Sequence, residues 1–223
     1  MAVTDVFDPC LRVSRAEFLA GWGVDDNVQF TESLVEAFVA EYSRVGDVVL
    51  DPFAGYGTTA VVATRMGRRA IAVELLPERA ALIRERVGRD PQVLTGDARS
   101  LAAIVTGPID LCLTSPPYMS ALNHPENPLA GYLTNDGDYQ TYLDELEAVA
   151  VQIIGMLRPR GHLVLNVADV NNGGVITPLA RDVSERVARH AELVREVGIC
   201  WDQQPDGVVN DRCLVFRPPN TPR

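Results

Sequence analysis

Two short stretches of the 223-residue chain combine residue types that can do chemistry. The first, Asp51-Pro52-Phe53-Ala54-Gly55-Tyr56-Gly57-Thr58-Thr59, sets two glycines between a carboxylate and a pair of hydroxyls. Glycines at that spacing let the backbone turn tightly and approach a ligand, and a helix starting after the turn offers free N–H groups. The second, Thr114-Ser115-Pro116-Pro117-Tyr118, places consecutive prolines behind a hydroxyl. They fix the backbone and remove two N–H donors, leaving carbonyl oxygens as acceptors. Such acceptors suit an amine whose lone pair is delocalised into a ring. Hydrogen bonds from its N–H groups to the Pro116 carbonyl and the Ser115 oxygen favour a tetrahedral nitrogen, and Tyr118 offers a ring to stack on. Positioning and electrostatics then carry the reaction, with no metal and no strong base.

Two more carboxylates complete the pattern. Glu74 closes the apolar run Ala70 to Val73, where it can accept from both hydroxyls of a ribose. Asp97, in Thr95-Gly96-Asp97-Ala98, follows the next apolar run, within reach of an adenine amino group. Carboxylates at three successive strand ends suit an adenosine ligand that lacks a pyrophosphate. A dinucleotide site would more often show Gly-x-Gly-x-x-Gly, whereas Thr58-Thr59-Ala60 follows Gly57 here.

The elements that must hold these residues alternate. Leu34, Val35, Phe38, Val39 and Tyr42 recur at helical spacing over Thr31 to Ser43, and Val48 to Leu50 reads as a buried parallel strand. Helices are predicted over Thr58 to Met66, over Pro77 to a stop at Gly88, over Tyr139 to Leu157, and over Ile176 to Val197. Strands are predicted at Ala70 to Val73, Val93 to Thr95, Ile109 to Leu113 and His162 to Val167, and near Ile199 to Trp201 and Cys213 to Phe216. This alternation is that of a doubly wound α/β sheet. The stretch Pro116 to Asn135, rich in Pro, Asn and Gly, is too long for a plain connector.

Composition bounds the rest. With 47% hydrophobic and 22% charged residues the chain is globular rather than disordered, and no apolar run reaches the roughly 18 residues of a membrane span. Met1 to Cys10 lacks the apolar core of a secretory signal, so the expected location is cytoplasmic, with no membrane partner. The 20 basic residues, all Arg, face 30 acidic ones for a net charge of −10, which excludes gripping nucleic acid by bulk charge. Cys10, Cys112, Cys200 and Cys213 form no Cys-x-x-Cys pair, and His124, His162 and His190 have no metal-ligand spacing. Reduced structural thiols and no metal are expected.

As a set, the glycine turn and its carboxylates resemble the cofactor-binding half of S-adenosylmethionine-dependent methyltransferases. Asp-Pro-Phe-x-Gly-x-Gly-Thr-Thr and Ser-Pro-Pro-Tyr resemble, more specifically, the DNA methylases that act on cytosine N4 or adenine N6. The resemblance implies a Rossmann-like class I methyltransferase fold: a seven-stranded, mostly parallel sheet with an antiparallel final strand. It implies S-adenosylmethionine as methyl donor, held by Phe30, Asp51, Phe53, Gly55, Gly57, Glu74 and Asp97, with Ser115, Pro116, Pro117 and Tyr118 as catalytic residues. Gln29 to Asp47 looks like the family's N-terminal motif, with Phe30 flanking the methionine, and Asp211 to Arg217 looks like its last strand. Tyr56, where the family has a small residue, is expected to reshape the methionine pocket.

The resemblance extends over nearly the whole chain, read as one domain with residues 1–28 as an N-terminal extension and 119–138 as a substrate loop. It leaves no room for a separate target-recognition domain. DNA is the favoured substrate, ahead of RNA (guanine N2 or adenine N6), a peptide amide or a small-molecule amine. A cofactor-binding partner subunit without turnover, or a homodimer, also stays open. The arginines at 65, 68, 69, 79, 84, 86 and 89 read as solvated helix faces, whereas Arg158 and Arg160 read equally as residues near the catalytic edge or as helix-terminal charges.

Overall fold

A computed structural model describes residues 10–14, 31–88, 91–121, 127–130 and 137–219. Its first half alternates strand and helix: β1 (Leu11–Val13), α1 (Glu32–Tyr42), β2 (Val48–Asp51), α2 (Thr58–Arg65), β3 (Arg69–Glu74), α3 (Pro77–Val87), β4 (Gln92–Thr95), α4 (Leu101–Ile104) and β5 (Ile109–Thr114). Then follow α5 (Tyr139–Met156), β6 (Leu157–Asn172), β7 (Val175–Thr177), α6 (Leu179–Val187), β8 (Glu192–Trp201) and β9 (Val208–Arg217).

Local chemistry sets the helix ends. The Thr31 hydroxyl accepts from Leu34 N at 3.3 Å to open α1, and Asp138 accepts from Thr141 N at 2.8 Å to open α5. Pro77 occupies the first turn of α3, which stops at Gly88 with φ +75°.

The strands form one sheet in the order β1-β8-β9-β6-β5-β2-β3-β4, with β7 paired to β6. Strands β4, β3, β2, β5 and β6 run parallel, while β9 is antiparallel to both β6 and β8. Successive residues of the central strands serve opposite faces. Leu50 and Cys112 pack with Leu146, Ile153 and Val183 on the side of α5 and α6, whereas Val49, Leu111 and Leu113 pack with Val35, Phe38 and Val62 on the side of α1 and α2. Burial on both sides explains why these strands read as continuous apolar runs.

The class is the expected one, and three details differ. The described sheet has nine strands, not seven, because β1 adds to β8 and β7 folds back on β6. The helix expected over Ile176 to Val197 is confined to Leu179–Val187, and β8 begins at Glu192. In β8, Val197 and Ile199 are buried between exposed neighbours at the period of two that marks a half-covered strand. The thiols also differ: Cys10 and Cys200 form a disulfide with Cα atoms 5.7 Å apart, while Cys112 and Cys213 are free and buried. Parallel pairing of Arg12 with Cys200 brings Cys10 alongside its partner.

The arginines are used locally. Arg65 pairs with Glu32 at 2.8 Å, Arg68 donates to the Ser43 carbonyl at 2.8 Å, and Arg84 donates to the Val93 carbonyl at 3.0 Å. Arg158 and Arg160 lie at the amino edge of the sheet, since Leu157 pairs with Ile109 at the start of β5; Arg158 there meets Asp110 at 3.1 Å. The expectation that they flank the catalytic edge is overturned by this register. Among the described residues no helix is long and apolar enough to cross a membrane, and no His, Cys, Asp and Glu cluster could hold a metal.

Candidate active site

Strand order reverses between β2 and β5: the chain goes outward from β2 to β3 and β4, then returns to lay β5 on the other side of β2. Ligands of open α/β sheets bind beyond the carboxyl ends of the strands at such a point. The four sequence signals meet there. Asp51 ends β2, Glu74 ends β3, Asp97 stands just past β4, and Thr114 ends β5 immediately before Ser115. A cavity of about 170 Å³ opens between them, lined by Phe53, Gly55, Glu74, Asp97, Ser115 and Pro116, among others.

Asp51 is buried and lies outside the cavity lining, next to Pro52 and Phe53, which line it. Its Oδ1 accepts from the Thr114 hydroxyl at 2.6 Å and from Phe53 N at 3.1 Å. Burial pushes its carboxyl up to about 6 against the lowering effect of Thr114, Thr59 and the Phe53 N–H. The two glycines do different work. Gly55, at φ +53°, faces open space at the cavity, whereas a Cβ on Gly57, at φ +82°, would lie 2.8 Å from Ile83 of α3. Tyr56 between them turns against α3, with the Arg79 guanidinium 5.0 Å from its ring centre and Arg86 donating to its carbonyl. It is not part of the cavity lining, so the expected reshaping of the pocket is not seen.

Glu74 fixes the turn as well as facing the cavity. Its Oε2 accepts from Gly55 N at 2.8 Å and its Oε1 from Leu76 N at 3.0 Å. Each oxygen keeps a further lone pair for a ligand hydroxyl. Burial raises its carboxyl, against the lowering effect of those two N–H groups and of Arg79. Asp97 also lines the cavity, but its carboxylate is gripped by Arg99 at 2.7 Å. Burial opposes ionisation of Asp97, and the Arg99 contacts prevail and hold it below the usual carboxylate range. Arg99 also reaches Glu145 at 3.0 Å, and Glu145 accepts from Asn127 at 2.6 Å. Asp97 is thereby tied to the segment after Ser115-Pro116-Pro117-Tyr118, where Pro128 and Leu129 complete the cavity wall.

Ser115, Pro116 and Pro117 line the cavity, and the Pro117 carbonyl is taken by the Tyr142 hydroxyl at 2.9 Å. Of the two proline carbonyls, Pro116 is therefore the one left for a ligand. Tyr118 points its hydroxyl inward, 3.3 Å from Ser115 Oγ and 3.2 Å from Asn166 Oδ1, and burial pushes its phenol well above its ordinary value. It is absent from the cavity lining, and its aromatic face is not presented there as the stacking expectation requires. Asn166 in turn donates to the Asp211 carboxylate, a residue pair that the motif reading missed. The available signal was a polar residue interrupting each of two apolar strands. Phe30 lies outside the described residues.

Comparison with known proteins agrees with this arrangement. Residues 5–85 match the family described as DNA methylase. Type II methyltransferase M2.DpnII of Streptococcus pneumoniae is 39% identical over 66 residues, covering 30% of this chain and 25% of that protein. Release factor glutamine methyltransferase of Rhodospirillum rubrum is 30% identical over 209 residues, covering 84% of this chain and 56% of that protein. The chain thus spans less than two thirds of the length of these relatives. Among solved structures, the N-methyltransferase NodS of Bradyrhizobium japonicum in complex with S-adenosyl-L-homocysteine superposes with a TM-score of 0.58 at 13% identity, over 85% of this chain and 86% of that one. Over residues 5–85 the chain is thus similar to the DNA methylases, and its fold is the Rossmann-like one of S-adenosylmethionine-dependent methyltransferases.

Proposed function

We propose that the protein transfers a methyl group from S-adenosylmethionine to the exocyclic amino group of a nucleobase, cytosine N4 or adenine N6 in DNA. The observation that carries this reading is the single cavity shared by Glu74 and Asp97 with Ser115 and Pro116. The residues fit the cofactor: carboxylates stand where an adenosine's hydroxyls and amino group need acceptors, and apolar Leu75, Leu76 and Ala98 flank them. When bound, S-adenosylmethionine supplies an electrophilic sulfonium methyl.

The chain's own residues handle the amine. Ser115 Oγ and the Pro116 carbonyl accept its N–H groups, draw the lone pair out of the ring and aim it along the cavity. Methylation would leave the nitrogen cationic; the same two oxygens would stabilise it, and one of its protons would leave to water. Asp51 takes no part in transfer; it fixes the end of β5 relative to the glycine turn. The net charge of −10 requires a DNA-binding face that gathers a minority of the arginines, or a partner that supplies the grip.

A second reading keeps the chemistry and exchanges the base for a protein glutamine amide, whose nitrogen is equally delocalised. It is favoured by the length of the alignment with the glutamine methyltransferase, which reaches well beyond the DNA methylase match. Incubation with labelled S-adenosylmethionine and, separately, DNA, RNA or a protein extract separates the two. Label in DNA that disappears with Ser115→Ala supports base methylation; label confined to protein overturns it in favour of the amide.

A further inference from the structure

The catalytic motif is joined to the far strands of the sheet by an unbroken line of hydrogen bonds. Trp201 Nε1, at the end of β8, donates to Asp211 Oδ2 at 2.9 Å. Asn166 Nδ2, on β6, donates to Asp211 Oδ1 at 2.7 Å. The Tyr118 hydroxyl lies 3.2 Å from Asn166 Oδ1 and 3.4 Å from the Asn166 carbonyl, and 3.3 Å from Ser115 Oγ. Asn166 and Asp211 are both buried.

The donors and acceptors in this line have only one consistent order. An ionised carboxylate only accepts, so Asp211 takes hydrogens from both Trp201 and Asn166. The Asn166 amide must then present its NH₂ to Asp211 and, at 3.3 Å, to the Arg212 carbonyl, and its oxygen to Tyr118. Both Asn166 atoms facing Tyr118 are acceptors, so the phenol must donate to them. Its own oxygen is left to accept, and the hydrogen it accepts is that of Ser115. The Ser115 oxygen thereby keeps its lone pairs for a group in the cavity.

We propose that Asp211 is a positioning residue which, acting through Asn166 and Tyr118, sets the direction of this hydrogen-bond line so that Ser115 meets the substrate amine as an acceptor. The inference rests on the reading of Ser115 as the group that touches the amine. Without the constraint the serine hydroxyl is free to rotate and offer its hydrogen, and two donors then face each other across the transfer site. Asp211 needs no contact with substrate, and no proton passes along the line, because an amide nitrogen stands in its path.

The charge on Asp211 is part of the device. The titratable and charged groups facing it are Arg212 beside it on β9, the Tyr118 phenol after β5 and the Cys213 thiol. Burial pushes the phenol and the thiol well above their ordinary values, so both stay neutral near pH 7. Burial also raises Asp211, to about 6, so protonation below that pH supplies a donor where the line requires an acceptor.

Two measurements on the full chain test this. In the first, transfer from labelled S-adenosylmethionine to genomic DNA is followed for wild type, Asp211→Asn, Tyr118→Phe and the double variant. Asp211→Asn is expected to lower kcat about tenfold while the cofactor Kd stays within about twofold, and to have no further effect in the Tyr118→Phe background. An unchanged kcat in Asp211→Asn, or losses that multiply in the double variant, overturns the proposal. The second follows the Trp201 indole N–H and the Asn166 side-chain NH₂ by ¹⁵N NMR as pH changes. Both are expected to shift together with a midpoint near 6 in wild type and to lose that titration in Asp211→Asn. Resonances that stay flat from pH 5 to 8 overturn it, whatever the activity. If wild type labels no DNA, the base-methylation reading fails by itself and the NMR titration alone decides the role of Asp211.

Discussion

Thr114 donates its hydroxyl hydrogen to Asp51 across 2.6 Å, joining the last residue of β5 to the last residue of β2. These strands flank the point where the sheet reverses its order, so one buried hydrogen bond sets the distance between the glycine turn and the Ser-Pro-Pro-Tyr segment. It also helps hold a carboxyl that burial would otherwise push higher. Thr114→Val keeps the shape and deletes the donor. The expected outcome is a loss of about 2 kcal/mol, the order of one hydrogen bond to a charged group, read from urea denaturation. The cofactor Kd should rise with it, since Phe53 donates to the same carboxylate oxygen.

Glu74 spends one lone pair of each carboxylate oxygen on the backbone of the turn. Glu74→Gln replaces one acceptor with an NH₂ group that must face a backbone N–H or a ligand hydroxyl. We expect cofactor affinity to fall by at least tenfold in calorimetric titration. Unchanged affinity would contradict the placement of the ribose beside this side chain.

The paired glycines should respond differently to a methyl group. Gly57→Ala drives a Cβ to 2.8 Å from Ile83 at φ +82°, so steric and backbone costs add. Gly55→Ala meets open space at φ +53°, and only the left-handed backbone cost of about 1 kcal/mol remains. In urea denaturation Gly57→Ala should be the more destabilising by roughly 1–3 kcal/mol. Gly55→Ala should instead act mainly on cofactor binding, because it faces the cavity.

Much of this geometry was legible in the sequence. The turn from Asp51 to Gly57, Glu74 at the end of its strand and the proline pair at the sheet's edge all follow from local residue order, because each lies within one strand-to-helix unit. The helix over Tyr139 to Met156 was readable for the same reason, with Tyr142, Leu146, Val149 and Ile153 buried on one face. The stretch after Val187 was not. No Gly or Pro separates His190 from Val197, and Leu193 with Val197 fits a helix as well as Val197 with Ile199 fits a strand. Tertiary pairing with β9 decided it. The hydrogen bonds of Asn166 and Asp211 were hidden because the two lie 45 positions apart, and a lone polar residue in an apolar strand does not announce its partner.

Stability should vary with pH in a direction set by Asp51 and Asp211. Both are raised to about 6 in the folded protein, above the ordinary carboxylate value near 4. The folded state therefore holds these protons more tightly than the unfolded one. Their contribution is most favourable below about pH 4 and is lost as pH rises through 6. Asp97 and Glu147 are held low and act oppositely, gaining stability as pH rises to their unfolded values near 4, so the two windows separate. Asp211→Asn should flatten the fall in urea midpoint between pH 4 and 6 by an amount on the order of 2 kcal/mol. An identical slope in wild type and variant would place the titrating proton elsewhere.

The bond between Cys10 and Cys200 joins residues 190 positions apart, and both chemical motifs lie inside that loop. With it formed, the polypeptide between those cysteines is a covalent ring. A single protease cut within the ring opens it without releasing a fragment, so nicked and intact molecules migrate with the same mass until a reductant parts them. The half that carries Glu74 then stays tethered to the half that carries Asn166 and Asp211, and one cleavage does not dilute the two halves of the site away from each other.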